Sequence, residues 1–209
     1  LQIGTYMDTK LVIFDLDGVL VDACDWHRDA LNLALSEISG THIEQKEHYS
    51  TFNGIPTKKK LEILIEQGRV KDCDKQKIFD VKQTKTIDII KNTAKFRYEK
   101  VELINRLKLE GLKVACFTNS IRETAVLMLE KTGVLELFDL ILTNQDVNIP
   151  KPNPEGYIKT MKFFNCSPEN TIIVEDSPKG VAAAKASGAK VIIVKNPDEV
   201  NIDMIGKIL

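Results

Sequence analysis

The sequence predicts an α/β protein: a doubly wound parallel sheet, Rossmann-like in layout, with an all-helical segment inserted early in the chain. Three observations carry this. Short apolar runs rich in β-branched residues recur at 11–14, 114–117, 140–142, 171–174 and 191–194, and apolar runs without polar alternation belong to strands buried on both faces. Patterns of helical period separate these runs, as parallel crossovers require. Between the first and second runs lie roughly a hundred residues, where a crossover needs only about 10–12, so something has been inserted there.

The first strand, 11–14, runs directly into Asp15-Leu16-Asp17-Gly18-Val19. The insert reads as three helices: 26–38; 57–66, which follows Pro56 and stops before Gly68; and 75–90. Residues 1–22 and 94–209 then form the core and 23–93 a helical cap. A core helix over 98–110 ends at Gly111, and the second strand follows it. The pattern over 121–132 ends at Gly133 ahead of the third strand, and that over 178–187 ends at Gly188 ahead of the fifth. A glycine just past the last periodic residue is a helix stop, because it alone takes the left-handed conformation without strain. There is no internal repeat and no low-complexity tract.

The chain has 209 residues, enough for one full domain and a smaller second one. Lysine and arginine total 29 against 30 aspartate and glutamate, so no overall field draws the protein to nucleic acid or to an acidic membrane surface, and neither is an expected partner. Cys24, Cys73, Cys116 and Cys166 are widely spaced and form no CxxC pair, which fits reduced thiols in a cytoplasmic protein. Residues 1–10 lack the apolar core and cleavage site of a signal peptide, and no stretch approaches ~18 consecutive apolar residues. Met7 is expected to stand closer to the true start than Leu1. Oligomeric state is not legible.

In doubly wound sheets ligands sit beyond the carboxyl ends of the strands. The residues that follow the strands here are Asp15 and Asp17 after the first, Thr118-Asn119-Ser120 after the second, Lys151-Pro152 a short loop beyond the third, and Glu175-Asp176-Ser177 at the end of the fourth. Carboxylates brought this close raise one another's pKa or draw in a cation, and all-oxygen ligation of this kind suits Mg²⁺. With an incoming phosphate neutralised, Asp15 can attack phosphorus and form a covalent aspartyl-phosphate. Asp17 can protonate the leaving oxygen and later deprotonate water. Thr118, Asn119 and Lys151 supply the donors and positive charge that a phosphoryl group requires, and Gly18 lets the chain turn sharply just after the two acids.

This ordered set resembles the haloacid dehalogenase superfamily of phosphohydrolases over nearly the whole chain, and the inserted helical cap is similar to that of its phosphoglycolate phosphatase and β-phosphoglucomutase branch. The resemblance rests on Asp15 to Val19, Thr118-Asn119, Lys151-Pro152 with Pro154, and Glu175-Asp176-Ser177-Pro178-Lys179-Gly180. It implies Asp15 as nucleophile, Asp17 as acid/base, Thr118 and Lys151 as phosphate ligands, and magnesium on Asp15, Asp176 and the Asp17 carbonyl. Glu175 is expected either to reach the ion through water or to orient Lys151. His27 falls where such relatives place a histidine facing substrate. The expected substrate is a small phosphate ester, a sugar phosphate or a phosphoglycolate-like acid.

Other residues read more plainly. Lys58, Lys59 and Lys60 could face an anionic group, but a charge run at a helix start is usually a solvated face. His42, His48 and the cysteines show no partner spacing, and Trp26 and Phe52 read as packing residues. Two rivals stand beside the hydrolase. A sugar-phosphate mutase of the resembled branch carries an arginine three positions after a cap glycine; counted from Gly54, this chain has Thr57 there. A binding protein that uses the fold without turnover would need no intact Asp15, Asp17, Lys151 and Asp176.

Overall fold

The computed structural model describes residues 9–209, and the stretch 1–8, with Met7, lies outside them. Within it β1 (Leu11–Phe14), β2 (Lys113–Phe117), β3 (Leu140–Leu142), β4 (Thr171–Glu175) and β5 (Lys190–Ile193) form one sheet in the order β3-β2-β1-β4-β5. Every pairing is parallel, and Phe14 stands level with Cys116 and with Val174. That register brings the residues after β1, β2 and β4 out along one edge. The α/β fold read from the sequence is the one observed.

The β1 side chains alternate between two apolar layers. Val12 and Phe14 face one with Val114, Cys116, Ile172 and Val174, while Leu11 and Ile13 face the other with Ala115, Phe117 and Ile173. Each fully buried large side chain of this kind contributes about 1.5–3 kcal/mol, which is why β1 is apolar throughout.

The insert folds as α1 (Cys24–Ser39), α2 (Gln45–Glu47) leading into a π-helical turn at His48–Phe52, α3 (Thr57–Glu66) and α4 (Lys75–Thr93). It has an apolar cluster of its own, in which Leu31, Leu35, Ile43, Phe52, Leu61, Leu64 and Ile78 are buried. Phe52 therefore packs inside the cap, and Trp26 packs against the larger core. After the insert, α5 (Tyr98–Leu109) and α6 (Arg122–Thr132) cover the Phe14 face. The opposite face is covered by α7 (Glu155–Phe163) and α8 (Pro178–Ala186).

Two differences from the sequence reading have physical causes. Helix α4 continues three residues beyond 90, because nothing in Lys91-Asn92-Thr93 breaks it, and Asn92 donates to the Asp88 carbonyl. Helix α7 fills the crossover between the third and fourth strands, for which the sequence reading gave no bounds. Glu155 opens it behind Pro154, and Tyr157 and Met161, four residues apart, bury its inner face. The four cysteines are free thiols. Among the described residues no helix is long and apolar enough to cross a membrane.

Candidate active site

The carboxyl edge of the sheet and the cap enclose a cavity of about 660 Å³ lined by residues of both. Asp15 sits at its floor. Its backbone N–H donates to Val174 O at 3.0 Å, which extends the β1–β4 ladder one residue and fixes the side chain at the strand end. Gly18 has φ +89°, and a Cβ there would lie 2.1 Å from Asp176 Oδ2. Both the left-handed backbone and the close approach of the two loops require glycine.

Lys151 comes in from the loop after β3, with a cis peptide bond to Pro152. Its ammonium donates to Asp15 Oδ1 at 2.6 Å, to Glu175 Oε1 at 2.7 Å and to the Phe117 carbonyl at 3.0 Å, and lies over the rings of Phe117 and Tyr157. Burial alone would lower the Lys151 pKa, but the Asp15 and Glu175 carboxylates outweigh it and hold the ammonium charged. Tyr157 donates to the same Glu175 oxygen at 2.6 Å, and the other Glu175 oxygen takes the Asp176 N–H at 3.1 Å. Both Glu175 oxygens thus have partners inside the protein.

One carboxylate oxygen from each of Asp15, Glu175 and Asp176 falls within 4.8 Å of the others, three acids against the single Lys151 ammonium. Burial first, and the Glu175 charge second, push the Asp15 carboxyl well above its usual range and Asp176 up to about 7. Asp176 Oδ1 is buried without a hydrogen-bond partner among the described residues. A hard divalent cation fits this cluster in chemistry, by relieving the repulsion and satisfying the orphan oxygen.

The Asp17 carboxylate lies outside that cluster and turns to the cap. His27 Nε2 is 3.0 Å from its Oδ1, Ser120 Oγ donates to Oδ2 at 2.8 Å, and Thr118 Oγ1 is 3.4 Å from Oδ2. Burial would raise the Asp17 carboxyl, but His27, Ser120 and Lys82 together hold it below its ordinary value. On the far side of the ring, Lys82 Nζ approaches His27 Nδ1 at 3.4 Å. Burial, reinforced by Lys82, lowers the His27 pKa. A neutral ring protonated on Nε2 suits both neighbours, since it donates to Asp17 and accepts from Lys82.

Asn119 is used for positioning. Its amide donates to Gly54 O of the cap at 2.9 Å, and its Oδ1 accepts the Lys151 N–H at 3.1 Å. Lys179, at the start of α8, donates to the carbonyls of Thr51 and Asn53, each at 3.2 Å. Core and cap are therefore tied at the rim of the cavity.

The sequence placed Asp15, Asp17, Gly18, Thr118, Asn119, Lys151, Glu175, Asp176 and His27 around one site, and the structure gathers all nine there. The sequence did not single out Lys82 or Tyr157, named Ser120 at the rim without a role, and gave none to His48 or Cys24, which line the cavity. The lysine run divides: Lys59 is exposed and paired with Glu62, whereas Lys60 is buried against the cavity. For Lys82 a signal existed. Ile78, Lys82, Thr86 and Ile90 recur every four residues and form the buried stripe of α4.

Fold and site together define a hydrolase built on a capped α/β core. Residues 12–194 match the family model of the haloacid dehalogenase-like hydrolases, and the chain belongs to that family. Among curated proteins it is 28% identical over 182 residues to a phosphorylated carbohydrates phosphatase from Thermotoga maritima, covering 86% of this chain and 82% of that one. It is 25% identical over 192 residues to a phosphoglycolate phosphatase from Nitrosospira multiformis, covering 88% and 82%. Among solved structures, a β-phosphoglucomutase from Clostridium difficile shares the fold with a TM-score of 0.81 at 21% identity, covering 96% of each chain.

Proposed function

We propose that this chain is a Mg²⁺-dependent phosphatase of small phosphorylated metabolites, sugar phosphates or phosphoglycolate-like acids, and that it works through an aspartyl-phosphate on Asp15. The observation that carries the reading is the Asp15 carboxylate at the cavity floor, held 2.6 Å from the Lys151 ammonium and clustered with Asp176 and Glu175. The names of the two curated relatives support the substrate class.

Asp15 attacks phosphorus from the floor. Lys151 fixes the unprotonated oxygen of Asp15 and faces the phosphoryl oxygens with positive charge. Thr118 adds a hydroxyl donor, and Asn119 shapes the Lys151 loop. Asp17 gives its proton to the leaving oxygen and later takes one from the water that hydrolyses the phospho-enzyme; His27 and Ser120 aim its carboxylate in the meantime. Glu175 orients Lys151. Magnesium held by Asp15, Asp176 and the Asp17 carbonyl would neutralise phosphoryl oxygens and so remove their repulsion for Asp15.

Phosphate release from a panel of phosphorylated sugars and acids, with Mg²⁺ and then with excess chelator, tests this. Chelator-sensitive release that Asp15→Asn abolishes is the expected result. Isomerisation of β-glucose 1-phosphate with a bisphosphate primer, without net release, would instead make the chain a mutase. Silence in both assays would leave a binding protein.

A further inference from the structure

The cap brings a second set of donors into the cavity, softer than the acids of the floor. Cys24 opens α1, His48 opens the π-helical turn and Asn53 follows that turn, and all three line the cavity. Cys24 and His48 are 24 positions apart in sequence, yet Cys24 Sγ stands 3.5 Å from His48 Nε2. The same sulfur is 3.2 Å from Asn53 Oδ1.

His48 is poorly satisfied for so buried a residue. It is 1% exposed, and among the described residues its Nδ1 has no hydrogen-bond partner while Nε2 meets only the sulfur. Buried polar atoms are nearly always paired, and a thiol is a weak partner. Burial keeps the ring neutral, and a neutral ring protonated on Nδ1 turns the Nε2 lone pair toward the sulfur. The separation suits a shared ion. Zinc takes thiolate sulfur at about 2.3 Å and imidazole nitrogen at about 2.0–2.1 Å, and at a tetrahedral angle those bonds hold the two atoms about 3.5 Å apart. The Asn53 oxygen is a third, weaker donor, and the cavity gives water access to a fourth position. Sulfur and imidazole nitrogen select Zn²⁺ or Cd²⁺, whereas the all-oxygen cluster suits Mg²⁺.

We propose that Cys24 and His48, with Asn53, form a second metal site on the cap side of the cavity, that it takes a thiophilic divalent cation such as Zn²⁺ or Cd²⁺, and that filling it slows turnover. Burial pushes the Cys24 thiol up to about 11, so the ion enters by displacing a proton. The S–H bond breaks, the freed electron pair forms the sulfur–metal bond, and the proton leaves to water. The Lys60 ammonium is near enough to act on Cys24 and opposes a dication, so binding is weaker here than at a structural zinc site with four protein ligands. Asn53 belongs to the loop whose carbonyls Lys179 and Asn119 hold. The ion therefore pins the start of α1 to that loop and takes up space inside the cavity. Binding is independent of the phosphatase reading, and only the effect on turnover rests on it.

The test titrates Cd²⁺ into the full chain with Mg²⁺ in excess, so that the acid cluster is already served, and follows the thiolate-to-metal charge-transfer absorbance in the ultraviolet. The wild-type chain should show a step that saturates at one equivalent and that Zn²⁺ reverses. Cys24→Ser should abolish the step, and His48→Gln should weaken the affinity at least about tenfold. Absence of a step would overturn the site. So would a step that persists in Cys24→Ser, which puts the metal on another cysteine, or one that His48→Gln leaves unchanged, which makes it a bare thiol adduct. Thermal melts check each variant, with Cys24→Ala and His48→Leu standing in for a first choice that does not fold. Phosphate release under the same Mg²⁺ excess reads the consequence: Zn²⁺ should inhibit the wild type and spare Cys24→Ser. Equal inhibition of both would place Zn²⁺ at the acid cluster and strike out the effect on turnover. If no ester is cleaved, the phosphatase reading fails and the Cd²⁺ titration still decides the site.

Discussion

The Lys151 ammonium and the Glu175 carboxylate form an ion pair closed off from water: Nζ lies 2.7 Å from Oε1, with Lys151 4% exposed and Glu175 fully buried. Glu175 does not itself line the cavity, and its carboxylate acts there through the groups it holds, the Lys151 ammonium and the Asp176 backbone N–H, and through its charge on Asp15 and Asp176. It fixes where the positive charge stands relative to Asp15.

Glu175→Gln keeps the shape and removes that charge. Turnover should fall by about 10–100-fold, the usual effect of losing an orienting partner. Lys151→Met should do more, because Asp15 and Glu175 are then buried with no cation between them. Removing one partner of a buried pair costs about 3–5 kcal/mol, which urea unfolding in chelator would register, and Mg²⁺ should return part of it.

Asp15→Asn should lower kcat by at least about 10³-fold, since an amide is no nucleophile. The fold should survive with an unchanged or higher Tm, because the substitution removes a charge that its buried acidic neighbours already oppose. Asp17→Asn should lower kcat by about 10²–10⁴-fold, the range for a general acid–base. Near wild-type turnover in either variant would remove the assigned roles.

His27 sets the working pH of Asp17. Its contact with the carboxylate, acting against burial, keeps the Asp17 carboxyl below its ordinary value. Without the ring, as in His27→Ala, the Asp17 pKa should rise, so the limb of kcat/KM against pH that deprotonation of this general acid sets should move to higher pH. An unmoved limb would mean that the ring only shapes the cavity.

Magnesium should raise Tm in a concentration-dependent way, by mass action on the folded state. The acid cluster and the orphaned Asp176 oxygen predict that this shift disappears in Asp176→Asn. The same variant should melt higher than wild type in chelator, because one of the clustered charges has gone.

His48 predicts a stability change on acidification. Burial, with Lys60 and Arg28 adding, lowers its pKa to about 4 from an ordinary 6.5. Between those values the unfolded chain takes up a proton that the folded chain refuses. Stability conferred by the neutral ring is therefore complete above pH 6.5 and is lost as pH falls toward 4. Relative to His48→Leu, the wild-type chain should lose on the order of 2 kcal/mol over this window in urea titrations.

Much of the floor of the site was legible because parallel strands convert sequence adjacency into spatial convergence. Asp15, Thr118 and Asp176 each follow an apolar run, and the in-register sheet brings such residues to one edge. The cap wall was not legible in the same way. Lys82 meets His27 across 55 positions of sequence through the packing of α1 along α4, and no motif spacing spans two helices. Lys60 was hidden by company, since its run also contains the exposed Lys59. Only the four-residue stripe of α4 betrayed a lysine on the inner face, and Tyr157 stands in a helix that carries none of the motifs.

Lys179 and Asn119 grip the cap by the carbonyls of Thr51, Asn53 and Gly54, never by their side chains. The grip is blind to the side chains at 51 and 53 so long as the loop keeps its path, whereas Gly54, at φ +73°, is held to glycine by its backbone. A cap of this kind is open to divergence: its wall can be rewritten to recognise a new substrate while the catalytic half goes on holding it by the same peptide oxygens.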